Sequence, residues 1–131
     1  MENVNDYLNV HLQCTDPDYI VYMPKSMDGS TNDTGNEHFL VFDGPDNSFM
    51  AVWTQSTKEG QPDQRIVFSR SDDEGETWAE PQLVAGPSER GGMASWGFPL
   101  VSESGRIYVI YSRHIGKNDV FSHTTGLMGG V

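Results

Sequence analysis

The sequence has a single cysteine and few basic residues. Cys14 stands alone among 131 residues, so no disulfide can form within the chain and an oxidising compartment is not required. Eight Lys and Arg residues stand against 19 Asp and Glu residues, which gives a formal net charge of −11. Nucleic acid and anionic membrane surfaces both repel a polyanion, so we predict neither as a partner.

Long apolar runs are also missing. No stretch approaches the roughly 20 apolar residues that a membrane-spanning helix needs. The first ten residues, MENVNDYLNV, have neither the basic region nor the apolar region of a secretory signal. As written, the sequence therefore predicts a cytoplasmic protein.

Short runs of β-branched and aromatic residues recur along the chain, and no segment has helical periodicity. Each run is bounded by Gly, Pro, Asp or Asn, which favour turns. The pattern predicts an all-β chain with antiparallel meander connections. The runs are YIVYM (19–23), HFLVF (38–42), FMAVWTQ (49–55), RIVFSR (65–70), PQLV (81–84), FPLV (98–101) and RIYVIYSR (106–113).

The chain repeats one strand–turn–strand plan. The copies begin at Phe39 and Phe98, which are 59 positions apart, somewhat more than the roughly 40 to 50 residues of common four-stranded propeller blades. We predict about two four-stranded antiparallel units, of which the second is incomplete and ends with GLMGGV as an incoming strand. The predicted divisions are an N-terminal segment (1–35), a first unit (36–86) and a second unit (87–131).

The segment SDDEGETW, which begins at Ser71, combines turn residues with a final tryptophan. The carboxylate of Asp73 can accept hydrogen bonds from backbone N–H groups of the turn, and Gly75 allows a left-handed backbone. The hydroxyls of Ser71 and Thr77 can satisfy further polar groups, while Trp78 can cover apolar surface. We interpret the acidic residues as part of a closed turn, and we expect neither a metal nor a cofactor.

The pattern Ser-x-Asp-x-Gly-x-Thr-Trp resembles, without a departure, the Asp box of sialidase-like (neuraminidase, BNR-repeat) β-propellers. The resemblance implies about two blades at the N-terminus of a six-bladed propeller. It also implies a glycoside hydrolase, an exo-α-sialidase or a related enzyme that acts on a glycan. The family's tyrosine nucleophile, its glutamate partner and further arginines come from later blades, so the chain alone is expected to be inactive. Its other expected partners are the remaining blades, or further copies that associate through exposed blade faces.

The same resemblance implies a structural role for the Asp box and a substrate site on the opposite face. Asp63 is the nearest match to the family's acid/base aspartate, and Glu37 and His38 are further catalytic candidates. The first strand lacks the arginine that binds the substrate carboxylate in sialidases. The substrate-binding candidates are Asn36, Trp96, Arg113 and His114.

Two alternatives remain open at this point. Asp63 could be an ordinary turn residue, His38 a half-buried strand residue and Trp96 a core residue. Asp boxes also occur in non-catalytic propellers, so the parent protein could bind a glycan or a protein without hydrolysing it.

Overall fold

The computed structural model describes residues 17–87, 92–114 and 124–130, with only the backbone described for His114 and for 124–130. Within these ranges the chain is all-β, as the sequence predicted. The strands are β1 (Gly35–Asp43), β2 (Phe49–Ser56), β3 (Arg65–Ser71), β4 (Gln82–Ala85), β5 (Met93–Val101), β6 (Ile107–His114) and β7 (Thr124–Gly130).

The strands form two antiparallel sheets, each connected as a meander. The first sheet has the order β1-β2-β3-β4 and the second has the order β5-β6-β7. Tight turns close the first hairpin of each sheet, where the N–H of Gly44 donates to Ser48 O at 2.8 Å and that of Ser102 donates to Arg106 O at 2.9 Å. A helix with the length and apolarity to cross a membrane is not found in the described part of the chain.

The first strand of each sheet contains a β-bulge at the equivalent place. In β1 the register shifts between Glu37 and Leu40, and in β5 it shifts between Ser95 and Phe98. The bulges therefore match at a spacing of 58 positions, the separation of the bulge residues His38 and Trp96. The sequence-based offset of 59 was wrong by one residue.

Apolar side chains pack on both faces of the first sheet. Between the two sheets, Val52 and Ile66 pack against Ala94 and Val109 of the second sheet. On the other face, the buried residues Ala51, Trp53 and Val67 are covered by Val21, Tyr22 and Trp78. The first sheet is thus enclosed between the second sheet and the segment that precedes β1.

Two strand predictions need correction. The run YIVYM at 19–23 is not a strand, because it pairs with no strand of the described residues and instead lays Val21 and Tyr22 on the first sheet. The strand predicted to begin at Phe98 begins at Met93, which pairs with His114. The Gly- and Ser-rich composition just before Phe98 had indicated a loop.

The SDDEGETW turn connects β3 to β4 and is closed by hydrogen bonds within the motif. Ser71 Oγ donates to Asp73 Oδ1 at 2.8 Å and accepts the N–H of Gly75 at 2.9 Å. Asp73 accepts the N–H of Thr77 at 2.8 Å and its hydroxyl at 2.5 Å, and these bonds lower the pKa of Asp73. Gly75 has a φ of 95°, and Trp78 Nε1 donates to Gly75 O at 3.0 Å.

Candidate functional site

The residues predicted to form the site lie at the end of the sheets opposite the SDDEGETW turn. β1 and β5 begin there, and β2 and β6 end there, because each pair is antiparallel. The turns of the two first hairpins lie at the SDDEGETW end, where a β-carbon placed on Gly105 would be 3.2 Å from Pro45. We call the opposite end, which carries His38 and Trp96, the bulged end.

The two bulges meet at this end through their side chains. His38 and Trp96 have positive φ values of 52° and 55°, which non-glycine residues adopt rarely and at a cost. Their rings meet edge to face with centroids 5.4 Å apart, and Trp96 Nε1 donates a hydrogen bond to His38 Nε2. Thr54 Oγ1 of β2 accepts the backbone N–H of Trp96 at 3.1 Å, which joins the second sheet to the first.

The contact with Trp96 defines the protonation state of His38. Because an indole nitrogen only donates, His38 Nε2 must be the unprotonated nitrogen of a neutral imidazole. Burial lowers the pKa of His38, and the nearby charge of Glu59 opposes this effect only in part. At neutral pH, His38 is therefore an uncharged ring whose proton is on Nδ1.

Glu37 lies beside His38 and pairs with Thr54 across the sheet. Burial raises the pKa of Glu37, and repulsion from Glu59 raises it further. Glu37 Oε2 is buried and has no hydrogen-bond partner among the residues that the structure describes. A carboxyl group with these properties retains its proton to a higher pH than usual and can donate it.

Asp63 is bound within its own loop. Its Oδ2 accepts the N–H of Thr57 at 2.8 Å and the Thr57 hydroxyl at 2.6 Å, which closes the connection from β2 to β3. Its Oδ1 is buried and finds no partner within the described ranges. Asp63 thus lies at the predicted end and has a structural function there, while its catalytic role stays a prediction.

The substrate-binding candidates do not all come together. The amide of Asn36 is already used, since it accepts Trp53 Nε1 at 2.8 Å and donates to Asp33 O at 2.8 Å. Arg113 lines a separate hollow beside Ala85 and Tyr111. His114 is described only by its backbone, so its predicted role lies outside the described side chains. Trp96 alone remains close to His38 with 43% of its surface exposed.

Sequence reasoning missed two contributors to this arrangement. Glu59 acts on both Glu37 and His38, but nothing in its loop sequence indicates that it points towards them. Thr54 supplies one hydrogen bond between the sheets, and the sequence signal for this position was the equivalence of Val-Trp-Thr in β2 with Ile-Tyr-Ser in β6. That equivalence marks the position but does not show which partner the hydroxyl binds.

An open apolar hollow of about 260 Å³ adjoins the two rings. It is lined by His38, Phe39, Leu40, Trp96, Gly97 and Phe98. Across the described side chains, no cluster of three or more His, Cys, Asp or Glu residues could hold a metal ion. Neither a protein-family model nor a curated protein matches this chain.

Proposed function

We propose that this chain is part of a sialidase-like Asp-box β-propeller, and that its bulged end belongs to a site that binds and hydrolyses a glycan. The observation that carries the proposal is the convergence of Glu37, His38 and Trp96 at the end opposite a complete Asp-box motif. A carboxyl group with a raised pKa and an exposed aromatic ring are the two parts that protonation and binding of a sugar require.

The packing of the sheets supports the propeller architecture. Phe42 and Val52 of the first sheet face the second sheet and pack in the core between them. The equivalent residues of the second sheet, 58 positions later, are Leu100 and Ile110, which are 51% and 38% exposed. The outward face of the second sheet thus repeats the face that the first sheet buries. A further sheet of the same kind is the occupant that this repetition favours.

The chemistry at the bulged end suits proton donation to a glycosidic oxygen. In glycoside hydrolysis a carboxylic acid with a raised pKa protonates the leaving-group oxygen. Glu37 is partly buried and its pKa is raised, which suits this role. Trp96 offers the face of its ring for stacking on the sugar, and neutral His38 fixes the edge of that ring. The resemblance to sialidases implies that the nucleophile comes from other blades.

A non-catalytic binding propeller is the second candidate function. The observation that favours it is that Asp63, the nearest match to the family's acid/base residue, already accepts two hydrogen bonds from Thr57. Under this alternative, Trp96 and the hollow beside it bind a sugar or a protein loop, and Glu37 donates a hydrogen bond to the ligand without cleaving it.

The test is a fluorogenic glycoside assay on the longest encoded chain that contains residues 1–131. We expect Glu37→Gln to lower kcat by about 10² to 10⁴, the usual contribution of general acid catalysis, while substrate binding is retained. Glu76→Gln, at the exposed SDDEGETW turn, is the matched control and should leave turnover unchanged.

Each other outcome changes the assignment in a defined way. Loss of activity in Asp63→Asn together with an unaffected Glu37→Gln variant would transfer the acid role to Asp63. Glycan binding without turnover would establish the second candidate. Neither binding nor turnover with any glycoside would refute the proposed function.

A further inference from the structure

The hollow beside His38 and Trp96 is apolar and open to a ligand. Its volume of about 260 Å³ lies below the roughly 300 Å³ at which pockets for drug-sized ligands begin, so it suits one small group of a ligand. The large apolar side chains that line it are between 38% and 60% exposed, and they are Phe39, Leu40, Trp96 and Phe98. A ligand that binds at the bulged end can therefore reach an apolar surface formed by both sheets.

Few hydrogen-bonding groups border this hollow. The side chains of Phe39, Leu40 and Phe98 have none. Trp96 has one donor, the indole N–H, which it donates to His38 Nε2. Among the described lining residues, this leaves the Nδ1–H of neutral His38 as the side-chain donor that remains. A polar group that loses water without gaining a hydrogen bond is costly, so the part of a ligand that enters the hollow is expected to be apolar.

The charges around the hollow disfavour an anionic ligand. No basic side chain of the described residues lines it. The charge of Glu59 acts on both Glu37 and His38, so a carboxylate lies near this end of the sheets. Lys58, next to Glu59 in the loop after β2, is exposed and does not line the hollow. A negatively charged sugar would be repelled by Glu59 without a cationic partner in the hollow, whereas a neutral sugar would not.

We propose that the bulged end selects a neutral 6-deoxy sugar, whose ring stacks on Trp96 and whose C6 methyl group enters the hollow. The inference rests on the proposed glycan site and adds the class of sugar that this site takes. A methyl group presents apolar surface to Leu40 and Phe98 and brings no polar atom with it. The C6 hydroxyl of the parent hexose would lose water there without gaining a partner, and so would the amide of an N-acetyl group.

The test is an NMR titration of the longest encoded chain that contains residues 1–131, labelled with ¹⁵N-tryptophan. Methyl β-D-fucopyranoside and methyl β-D-galactopyranoside differ only in the C6 hydroxyl, and methyl α-L-rhamnopyranoside and methyl α-L-mannopyranoside form a second such pair. We expect the deoxy member of at least one pair to shift the indole signal of Trp96 and to bind about tenfold to a hundredfold more tightly, the range in which an apolar pocket rejects an added hydroxyl. The indole of Trp78, at the other end of the sheet, should not shift.

The outcomes separate this inference from the proposed function. Equal affinities within both pairs, or binding that leaves the Trp96 signal unchanged, would overturn the inference. So would tighter binding of N-acetylneuraminic acid or of methyl N-acetyl-β-D-glucosaminide. Turnover of fluorogenic glycosides without a preference for the deoxy sugar would leave the proposed function intact and overturn the inference. Preferential binding of the deoxy sugar without turnover would support the inference and exclude hydrolysis.

Phe98→Asn tests the apolar lining directly. The amide places a hydrogen-bonding partner for the C6 hydroxyl at the hollow, so we expect the preference for the deoxy sugar within a pair to fall severalfold. Leu83→Asn in β4 is the matched control, because Leu83 is 64% exposed against 60% for Phe98 and does not line this hollow. A folded Phe98→Asn variant with an unchanged preference would overturn the inference.

A second variant covers the case in which Phe98→Asn fails to fold. Leu40→Thr introduces a hydroxyl at the hollow and keeps a side chain that suits a strand. We expect the same loss of preference for the deoxy sugar, measured with the same pair of methyl glycosides. A preference equal to that of the unaltered protein would mean that the methyl group does not enter the hollow, which contradicts the inference.

Discussion

The two ends of the first sheet differ in whether their buried polar groups have hydrogen-bond partners. In the SDDEGETW turn, Ser71 and Asp73 bond to each other and to the backbone of the turn. At the bulged end, Glu37 and Asp63 each keep one buried carboxylate oxygen for which the described residues provide no partner. One end satisfies its polar groups locally, whereas the other leaves acceptors unused.

Backbone strain does not follow the same division. The SDDEGETW end has two non-glycine residues at positive φ, Asn47 and Glu74, and the bulged end also has two, His38 and Trp96. What distinguishes the bulged end is that its two residues come from different sheets and are joined by a hydrogen bond. A buried polar group without a partner calls for an explanation, and the proposed glycan site offers one at the bulged end.

Replacement of one tryptophan at each end should give the largest difference in stability between the two ends. Trp78 packs on the cluster around Trp53, so Trp78→Ala should lower the free energy of unfolding by about 3 kcal/mol. Trp96 is much more exposed, and Trp96→Ala should cost less than about 1 kcal/mol. Urea denaturation of both variants measures the difference. Equal losses would show that the two ends do not differ in this way.

Loss of one buried hydroxyl from the turn should have the next largest effect. Ser71→Ala leaves the N–H of Gly75 without its acceptor, which should cost about 1 to 3 kcal/mol. Ser104→Ala removes an exposed hydroxyl from another turn and should change stability by less than about 0.5 kcal/mol. Thermal unfolding of the two variants compares them. If Ser71→Ala matched its control, the hydrogen bonds of the turn would not contribute to stability.

At the bulged end, Thr54→Val should have a smaller effect on stability and a specific effect on geometry. The valine keeps the shape of the side chain but removes the acceptor of the Trp96 N–H, which should cost about 1 kcal/mol. We expect the backbone amide signal of Trp96 to shift in NMR spectra. Thr54→Ser, which retains the hydroxyl, should restore the wild-type signal, and failure to do so would exclude this hydrogen bond as the cause.

The smallest expected effect is the pH response of His38. Burial lowers the folded-state pKa of His38 below the ordinary 6.5, so the unfolded chain binds the proton first as the pH falls. Stability should therefore decrease as the pH falls from above 6.5 through the folded-state pKa, and His38→Gln should remove this component.

The same titration should be visible at Trp96. Protonation of His38 Nε2 removes the acceptor of the indole N–H, so the indole signal should shift with the imidazole titration. NMR titration measures both signals at once. An imidazole that titrates above pH 6.5, or an indole signal that does not respond, would contradict the neutral ring described at the bulged end.

The meander and the SDDEGETW turn could be predicted because their determinants are local. Turn residues bound each strand, and the hydrogen bonds of the turn join residues no more than four positions apart, such as Ser71 to Gly75 and Asp73 to Thr77. Hydrogen bonds between residues this close in sequence can be inferred from the order of the residues. The turn from β3 to β4 followed directly from it.

The bulges could not be predicted in the same way. A bulge adds one residue to a strand without a distinctive composition. Phe39 lies within the first bulge, whereas Phe98 follows the second, so alignment of these two residues gave the wrong spacing. The contact of His38 with Trp96 and the action of Glu59 on Glu37 depend on how distant segments pack, which no local pattern records.

Gly97, the second residue of the bulge in β5, lies between the hollow at the bulged end and the core between the two sheets. A β-carbon at Gly97 would lie 3.1 Å from Ile66 Cγ2 and 3.3 Å from Val109 Cγ1, so any side chain there would push against both sheets. Trp96, the neighbouring residue, would move with that displacement, and its contact with His38 would change. Replacement of Gly97 by alanine should therefore change the geometry of the proposed site from its buried side, while the two rings that meet there stay the same.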